Sequence, residues 1–480
     1  MTSDFRSAGH DAVELLADYL DGLPARSVWT PMPEAARDAL LDAPLPEVPT
    51  ALDALVKTVG ETVLPYPMGN GHPRFFGWVN AAPAPAGVLG ALAGAAMNPS
   101  SAGGDHADVH LERTVVRWLA ELVGFPHPPG GGLLTSGASM ATIVALGAAR
   151  NRAAARLGVD VRHDGVAALP PLVGYVSAET HSCVRKAAEL LGIGSRNLKV
   201  VATDTEGRLD PAALRSQLDA DRAAGLVPFL VVGSAGTVNT GAIDDLAALA
   251  DVCEQSAEGI WFHVDGAYGA FGRLDPVSAP RYAGLERADS LALDPHKWLG
   301  VPVDCGCVLV RDAEQLRGTF SLVPPYLRDE DAGGLGWFSE YGIEQTRPFR
   351  SLKVWATIAA AGREGIVRDI SRCCALARTL GQLVEQEPDL ELLAAVETSI
   401  VAFRYRPTGE RALPAERVQQ VNAALAVAVQ QRGRAFVTGT VLAGCEAVRA
   451  CLLNAATTEE DLRILVDEVL TAGAALGTEL

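Results

Sequence analysis

The sequence predicts an α/β fold built on a mostly parallel sheet that is covered by helices. Short apolar runs alternate with helical patterns through the middle of the chain, and the runs are apolar on both faces, as buried parallel strands are. The predicted strands are Leu172–Ser177, Leu198–Ala202, Phe229–Gly233, Ile260–Asp265, Ser290–Leu293 and Cys307–Val310, and the predicted helices include Met140–Arg156, Pro211–Ala224 and Asp244–Ser256. In such sheets a ligand binds beyond the carboxyl ends of the strands, so we expect the chemistry directly after each strand.

The flanking segments predict an N-terminal helical arm and a smaller second domain. Apolar residues recur at helical spacing near the N-terminus, a proline-rich connector follows, and another helix is predicted over Ala51–Val63. From Ser351 a long helical pattern leads into an α+β segment with a strand at Ser399–Tyr405 and a terminal helix after Thr458. We therefore expect an arm over residues 1–85, a large domain over 86–360 and a small α+β domain over 361–480.

Composition and charge exclude several classes of partner. The formal net charge of −18 disfavours a nucleic-acid or anionic-membrane surface. The uncharged stretch Phe75–Gly104 is broken by Pro83 and Pro85, and the remaining helix is too short for a bilayer core of roughly 30 Å. The N-terminus has no signal-peptide pattern, and the eight cysteines are scattered without metal-binding spacing. We expect a cytoplasmic protein with reduced thiols, no metal site and no membrane span.

Two charged residues after predicted strands carry the strongest chemical signal. Lys297 follows Ser290–Leu293 in the run Asp294-Pro295-His296-Lys297-Trp298, among apolar neighbours where a lysine tends to lose its proton and can attack an aldehyde. Asp265 ends its strand, and a carboxylate buried there needs a cation or a donor, such as a protonated pyridine nitrogen. Taken singly, each residue also has a structural interpretation that remains open. Lys297 fits an ordinary surface lysine, and Asp265 fits an aspartate that caps the next turn.

Two further motifs fit the phosphate and the flat face of a ring cofactor. The run from Gly130 to Ser139 is rich in small residues and precedes a helix, so its backbone N–H groups and hydroxyls suit a dianion. His181 follows the strand Leu172–Ser177, where an imidazole can lie flat on a planar ring. Each motif alone is also common as a purely structural feature. Together the four motifs provide the contacts that pyridoxal 5′-phosphate (PLP) needs, which predicts a PLP enzyme.

Four segments in combination resemble those of the group II PLP-dependent amino acid decarboxylases. They are Thr180-His181-Ser182, His263-Val264-Asp265-Gly266-Ala267-Tyr268, Pro295-His296-Lys297-Trp298 and Phe349-Arg350-Ser351-Leu352-Lys353. The resemblance, which is to a family that includes aromatic-L-amino-acid decarboxylases, runs from about residue 4 to the last helix. It implies a fold type I, aspartate aminotransferase-like large domain with a seven-stranded sheet. It also implies a homodimer with shared active sites that converts an L-amino acid to its amine and CO₂.

The resemblance also implies a role for individual residues. Lys297 becomes the Schiff-base lysine, Asp265 the partner of the pyridinium nitrogen and His181 the stacking residue. Tyr326, in a catalytic loop from Phe320 to Gly342, becomes the proton donor after CO₂ leaves. Further cofactor contacts are implied for Ala138, Ser139, Thr237, Ala267, His296 and Arg449. Substrate contacts are expected from His72, Asn80, Asn98 and Ser100.

Alternatives on the same fold remain open at this point. A PLP aldehyde synthase, an aminotransferase and a non-catalytic PLP-binding protein all fit the cofactor motifs. Relatives that form aldehydes often carry Phe in place of Tyr326 or Asn in place of His181, so the retention of both residues favours decarboxylation. Asp294 departs from a frequent Asn, and residues 98–104 lack the aromatic side chains of aromatic-amino-acid relatives. Asn80, Asn98 and Ser100 predict a roomier or more polar substrate pocket.

Overall fold

The computed structural model describes residues 2–322 and 336–479, which divide into two units. The large unit comprises Pro83–Ala375 and Ala394–Ile400, and the small unit comprises Met1–Ala82, Leu376–Leu393 and Val401–Leu480. The three-part division expected from the sequence, with boundaries near residues 85 and 360, stays a prediction.

The α-helices of the described residues include those predicted over Met140–Arg156, Pro211–Ala224 and Asp244–Ser256, with ends that differ by at most two residues. In chain order they are α1 Thr2–Gly22, α2 Glu34–Leu41, α3 Leu52–Thr58, α4 Pro85–Met97, α5 Ala107–Val123, α6 Ala138–Arg156, α7 Val161–Asp164, α8 Ser182–Leu190, α9 Pro211–Ala223, α10 Leu246–Glu254, α11 Ala313–Phe320, α12 Arg350–Gln386, α13 Ala415–Gln431 and α14 Glu459–Glu479. Helix α12 is interrupted at Gly362, whose φ of 62° and ψ of 169° are not helical.

The large unit is built on a seven-stranded sheet. Its strands are β1 Gly132–Thr135, β2 Leu172–Ser177, β3 Leu198–Val201, β4 Val227–Ser234, β5 Trp261–Asp265, β6 Ser290–Leu293 and β7 Gly306–Val310. They lie in the order β1-β7-β6-β5-β4-β2-β3. The five strands from β6 to β3 in this order run parallel, whereas β7 is antiparallel to both β6 and β1. The predicted mostly parallel sheet is therefore confirmed.

Helix α6 packs across the middle of this sheet because its buried face is made of small side chains. Ala141, Val144, Ala145 and Ala148 are almost completely buried and belong to one apolar core with residues of β2, β4 and β7. Small side chains let the helix axis approach the strands closely, which brings the first turn of α6 to the edge where the strands end.

The small unit contains the N-terminal helices and a second sheet. This sheet has the strands β8 Leu390–Leu392, β9 Ile400–Tyr405, β10 Thr438–Leu442 and β11 Cys445–Cys451 in the order β10-β11-β9-β8. The pairs β10–β11 and β8–β9 are antiparallel. Helix α14 buries Leu462, Leu465, Val466 and Val469 at helical spacing, as an amphipathic helix does.

The uncharged stretch Phe75–Gly104 contains helix α4, which has 13 residues. Across residues 2–322 and 336–479, no helix is both long enough and apolar enough to cross a membrane.

Candidate active site

The loops after four parallel strands and the start of α6 enclose a cavity of about 180 Å³ in the large unit. The lining residues that the sequence predicts as cofactor contacts are Ala138, Ser139, His181, Thr237, Asp265, Ala267, His296 and Lys297. They come from chain segments up to 159 positions apart, and the parallel sheet brings them together because the carboxyl ends of its strands share one edge.

Lys297 lies in the turn after β6 beside a buried carboxylate. Its Nζ is 3.0 Å from Oδ2 of Asp294, whose side chain is only 5% exposed. Oδ1 of the same carboxylate accepts the backbone N–H of Ala138 at 2.6 Å. One acid therefore holds both the lysine and the first residue of α6.

Asp265 is the last residue of β5 and is held by two donors. Its Oδ1 accepts the N–H of Ala267 at 3.1 Å, and its Oδ2 lies 4.0 Å from Sγ of Cys183. Burial raises the pKa of the Cys183 thiol to about 12, and the charge of Asp265 acts in the same direction. The thiol therefore keeps its proton near neutral pH and donates an S–H hydrogen bond to the carboxylate.

Together with His181, these two side chains offer three potential ligand atoms within 4.8 Å of one another. A metal ion binds the thiolate form of cysteine, and the raised pKa of Cys183 disfavours that form.

The N-terminus of α6 opens onto the cavity and is not capped by its own sequence. Gly137 at the N-cap position offers no side chain, and the first turn contains no acidic residue. Gly306 at the start of β7 makes the close approach possible, because a Cβ atom there would lie 2.4 Å from the carbonyl carbon of Gly137. A helix start with open backbone N–H groups is a suitable site for a phosphate.

His181 and Thr237 line two further sides of the cavity. His181 is the N-cap of α8, and its Nδ1 accepts the N–H of Cys183 at 3.2 Å. Thr237 is buried, and its Oγ1 accepts the N–H of Ala242 at 3.1 Å. These bonds fix the two side chains without any ligand.

Tyr268 supports the residue next to Lys297. Its ring stacks on Trp298 with a centroid distance of 5.3 Å and an interplanar angle of 11°. Its hydroxyl lies 2.6 Å from Oγ of Ser399, in the segment Ala394–Ile400 that belongs to the large unit. The turn that carries Lys297 is thus packed against a residue that is itself held in place.

Three predicted site residues belong to the small unit. Arg449 is buried in β11 and donates from one guanidinium nitrogen to the carbonyl oxygen of Trp78 at 2.7 Å. His72 is buried, and burial lowers its pKa to about 4, so the ring is neutral near pH 7. The Nδ2 atom of Asn80 lies 3.1 Å from Sδ of Met68. Their cofactor and substrate roles stay predictions.

Two further predicted substrate contacts, Asn98 and Ser100, do not belong to this cavity as the described residues define it. Asn98 ends helix α4 with a φ of 48°, a left-handed conformation that asparagine tolerates better than most residues. Neither Asn98 nor Ser100 lines the cavity within the described residues of the large unit. Tyr326 lies outside the described residues, so its role stays a prediction.

Several lining residues were not predicted as site residues. They are Gly137, Glu179, Cys183, Ser234, Gly236, Val238, Tyr268 and Asp294. Asp294 carried a readable signal, because an acid three residues before a lysine in the same turn can pair with it. Cys183 carried none, since its contact with Asp265 joins α8 to β5 and depends on the fold.

The ends of the parallel strands present an amine and a buried acid beside a helix N-terminus that suits a phosphate. This combination defines the site of a fold type I PLP enzyme. Comparison with known proteins agrees. Residues 33–406 match the model of the pyridoxal-dependent decarboxylase conserved domain. The chain belongs to this family.

Relatives and solved structures match over nearly the whole chain. An aromatic-L-amino-acid decarboxylase of Bacillus atrophaeus is 32% identical over 96% of this chain and 93% of its own length. A phenylacetaldehyde synthase of Arabidopsis thaliana is 32% identical with the same two coverages. The crystal structure of Oryza sativa TDC with PLP and tryptamine has a TM-score of 0.90 at 29% identity and covers 99% of this chain and 98% of that chain. Mouse CSAD in apo form has a TM-score of 0.90 at 27% identity and covers 98% of this chain and 99% of that chain.

The protein is therefore a PLP-dependent amino acid decarboxylase, which confirms the predicted family, fold, cofactor and enzyme class. The residues present fit PLP, because the α6 start has no side-chain cap of its own, Lys297 offers an amine and Asp265 offers an acid in one cavity. A non-catalytic PLP-binding protein would present the same contacts, so it is the family match over residues 33–406 that favours an enzyme over that alternative.

Proposed function

We propose that Lys297, Asp265 and His181 carry out the decarboxylation of an L-amino acid in the cavity of the large unit. The observation that carries the proposal is that these three side chains line one cavity together with the open start of α6.

The residues divide the work by their chemistry. PLP, when bound, supplies an electron sink for the charge left on Cα as CO₂ departs. Lys297 provides the amine that holds the cofactor aldehyde, and Asp265 keeps the proton on the ring nitrogen. His181 orients the ring from one face, and the α6 start at Ala138 and Ser139 holds the phosphate, with Ser139 as its N–H donor because the N–H of Ala138 donates to Asp294. Tyr326, outside the described residues, is proposed to return a proton to Cα.

A borohydride experiment tests the assignment of Lys297. Reduction of the purified holoenzyme followed by peptide mass mapping should find a pyridoxyl adduct on Lys297. The Lys297→Ala variant should lose both the adduct and turnover. The matched control is Lys186→Ala, an exposed lysine of α8, which should keep both. An adduct on another lysine, or native turnover by Lys297→Ala, would overturn the assignment.

For the substrate, we propose an L-amino acid with an aromatic side chain as the first candidate. The support comes from similarity to proteins named aromatic-L-amino-acid decarboxylase, at 32% identity over most of the chain. A panel of the common amino acids with aromatic analogues, read by mass spectrometry for amine products, tests this. Amines formed only from non-aromatic substrates would contradict the aromatic assignment while leaving decarboxylation intact.

A second candidate activity is aldehyde synthesis from the same substrates. It is favoured by the similarity to the phenylacetaldehyde synthase of Arabidopsis thaliana, which equals the identity to the bacterial decarboxylase. The retained His181 argues for simple decarboxylation. Equimolar amine and CO₂ without H₂O₂ or ammonia would exclude the second candidate, and aldehyde with ammonia would replace the first.

We also propose that the protein acts as a cytoplasmic homodimer with shared active sites. Exposed apolar side chains support an interface, with Leu45 at 86% and Val48 at 73% in the N-terminal arm, and Leu89 at 62% and Leu92 at 54% on α4. The eight free cysteines fit a reducing compartment.

Sedimentation tests the dimer. Leu89→Glu combined with Leu92→Glu should convert the wild-type dimer to monomer. Leu190→Glu, at an exposed leucine of α8, serves as the matched control and should remain dimeric. A wild-type protein that sediments as a monomer would contradict the proposal.

A further inference from the structure

The cavity contains a second buried acid that the proposed chemistry does not use. Asp294 is 4% exposed and follows β6, so it faces the cavity from the same turn as Lys297. Its two carboxylate oxygens have different partners: Oδ1 accepts the N–H of Ala138 at 2.6 Å, and Oδ2 pairs with Nζ of Lys297 at 3.0 Å.

The contact with Ala138 makes Asp294 a capping group supplied from a distant part of the chain. Helix α6 has Gly137 at its N-cap and no acid in its first turn, so its own sequence provides no acceptor. A carboxylate at this position is stabilised by the partial positive charge of the helix start. That charge is also what would attract the phosphate of the cofactor.

The contact with Lys297 matters because positive charge is scarce in the cavity. Among the described lining residues, Glu179, Asp265 and Asp294 are acidic, and Lys297 is the single lysine or arginine. Once the nitrogen of Lys297 is bonded to the cofactor aldehyde, it is no longer a free ammonium group that can offset the negative charge of Asp294. A dianionic phosphate then approaches a helix start that a carboxylate already occupies.

We propose that Asp294 sets the affinity of this enzyme for the phosphate group of its cofactor, by placing a negative charge in the phosphate cradle. The proposal rests on the proposed function, since it requires that the α6 start binds the phosphate. Asp294 acts as a positioning residue: it holds the α6 start and Lys297 in place before PLP binds, and it weakens phosphate binding afterwards. The neutral isostere asparagine would keep the hydrogen bond to Ala138 and remove the repulsion.

The test compares two probes that differ only by the phosphate. PLP and pyridoxal are titrated into apoenzyme, and Kd is measured for wild type and for Asp294→Asn. Both probes can react with Lys297, so changes that act through the lysine affect both. The two probes therefore differ only in the contribution that the phosphate group makes to binding. We expect the ratio of the pyridoxal Kd to the PLP Kd to rise by about tenfold or more in the variant, as removal of one nearby like charge implies.

A matched variant separates local charge from the charge of the whole cavity. Glu179→Gln removes one negative charge from another loop, where Glu179 accepts a hydrogen bond from Asn239 at 2.9 Å. We expect its effect on the Kd ratio to be clearly smaller than that of Asp294→Asn. An equal effect would mean that overall cavity charge, and not the occupied helix start, controls phosphate affinity, and would overturn the proposal.

The other outcomes are also decisive. An unchanged or lowered ratio in Asp294→Asn would refute the proposal, as would equal changes for both probes. Circular dichroism and thermal unfolding of the apo variant check the fold, and Asp294→Ala, which also loses the cap, should be less stable than Asp294→Asn. If the proposed function itself fails, wild-type protein will show no reduced adduct on Lys297, a result that is independent of the Kd ratio.

Discussion

The ion pair between Arg347 and Glu112 is expected to dominate the stability of the segment that leads to the phosphate cradle. Both side chains are almost completely buried, at 1% and 0% exposure. Arg347 donates to both oxygens of Glu112, at 2.5 and 3.0 Å, and to the carbonyl oxygens of Leu134 at 2.6 Å and Ser101 at 2.9 Å. Glu112 also accepts the N–H of Leu134 at 2.9 Å. Leu134 lies on β1, whose last residue, Thr135, precedes the turn into α6.

The magnitude follows from what each substitution leaves behind. Arg347→Met leaves a buried carboxylate without its cation, which typically costs about 3–5 kcal/mol. It also leaves two carbonyl oxygens without this donor, so we expect a loss of about 4–6 kcal/mol in the free energy of unfolding. Glu112→Gln strands the guanidinium charge and should cost about 3 kcal/mol or more. The double variant buries no charge, so its cost should fall short of the sum by at least about 2 kcal/mol.

Urea unfolding followed by circular dichroism, at one fixed protein concentration, measures the free energy of unfolding of the wild type, the two single variants and the double variant, which together form a double-mutant cycle. PLP titration of the folded variants provides the link to function, because a loosened β1 should weaken cofactor binding. Costs that add to within about 0.5 kcal/mol would refute the reasoning that the two side chains act as one unit. A loss of less than about 1 kcal/mol for Arg347→Met would refute it as well.

Three smaller predictions concern buried titratable groups. Burial raises the pKa of Asp244 to about 6 from 3.8, so its contribution favours the fold below about pH 4 and is lost as pH rises through 6. Asp244→Asn should therefore remove a difference of about 2 kcal/mol between the unfolding free energies measured at pH 4.5 and at pH 7. Burial lowers the pKa of His72 to about 4 from 6.5, so its contribution is complete above pH 6.5 and is lost towards pH 4; His72→Gln should flatten the opposite slope in the same measurement. Cys183→Ala, which removes the thiol donor to Asp265, should weaken PLP binding several-fold in a fluorescence titration, whereas Cys183→Ser should bind like wild type.

Local sequence patterns were sufficient for the strands that carry the chemistry. β2 and β6 have the predicted bounds, and β5 begins one residue later than expected. Each is short, apolar on both faces and followed at once by a polar motif. That pattern is readable without tertiary information, since the motif follows the strand along the chain and a parallel sheet gathers all such motifs at one edge.

Strand β1 was not predicted, and the reason is physical. Gly132–Thr135 lies in a glycine-rich run that locally favours a loop, and it becomes a strand by pairing antiparallel with β7, more than 170 positions away. The register pairs Thr135 with Gly306, the glycine that also gives Gly137 the space it needs. Tertiary pairing therefore overrides local propensity at this position.

The same distinction explains which active-site residues could be found in advance. Lys297, Asp265 and His181 are recognisable because each stands in its own motif, and their meeting requires only that the sheet be parallel. The residues that hold them do not share this property. Asp294 contacts Ala138, which is 156 positions away in the sequence, and Cys183 contacts Asp265, which is 82 positions away. Glu112 of helix α5 contacts Leu134 of strand β1. Residues that contact a cofactor can thus be read from strand ends, whereas residues that tune those contacts depend on the packing of α5, α6 and α8. The balance of charge around the phosphate is set by this second group, which is why a comparison of Asp294→Asn with Glu179→Gln tests something that no motif alone could have predicted.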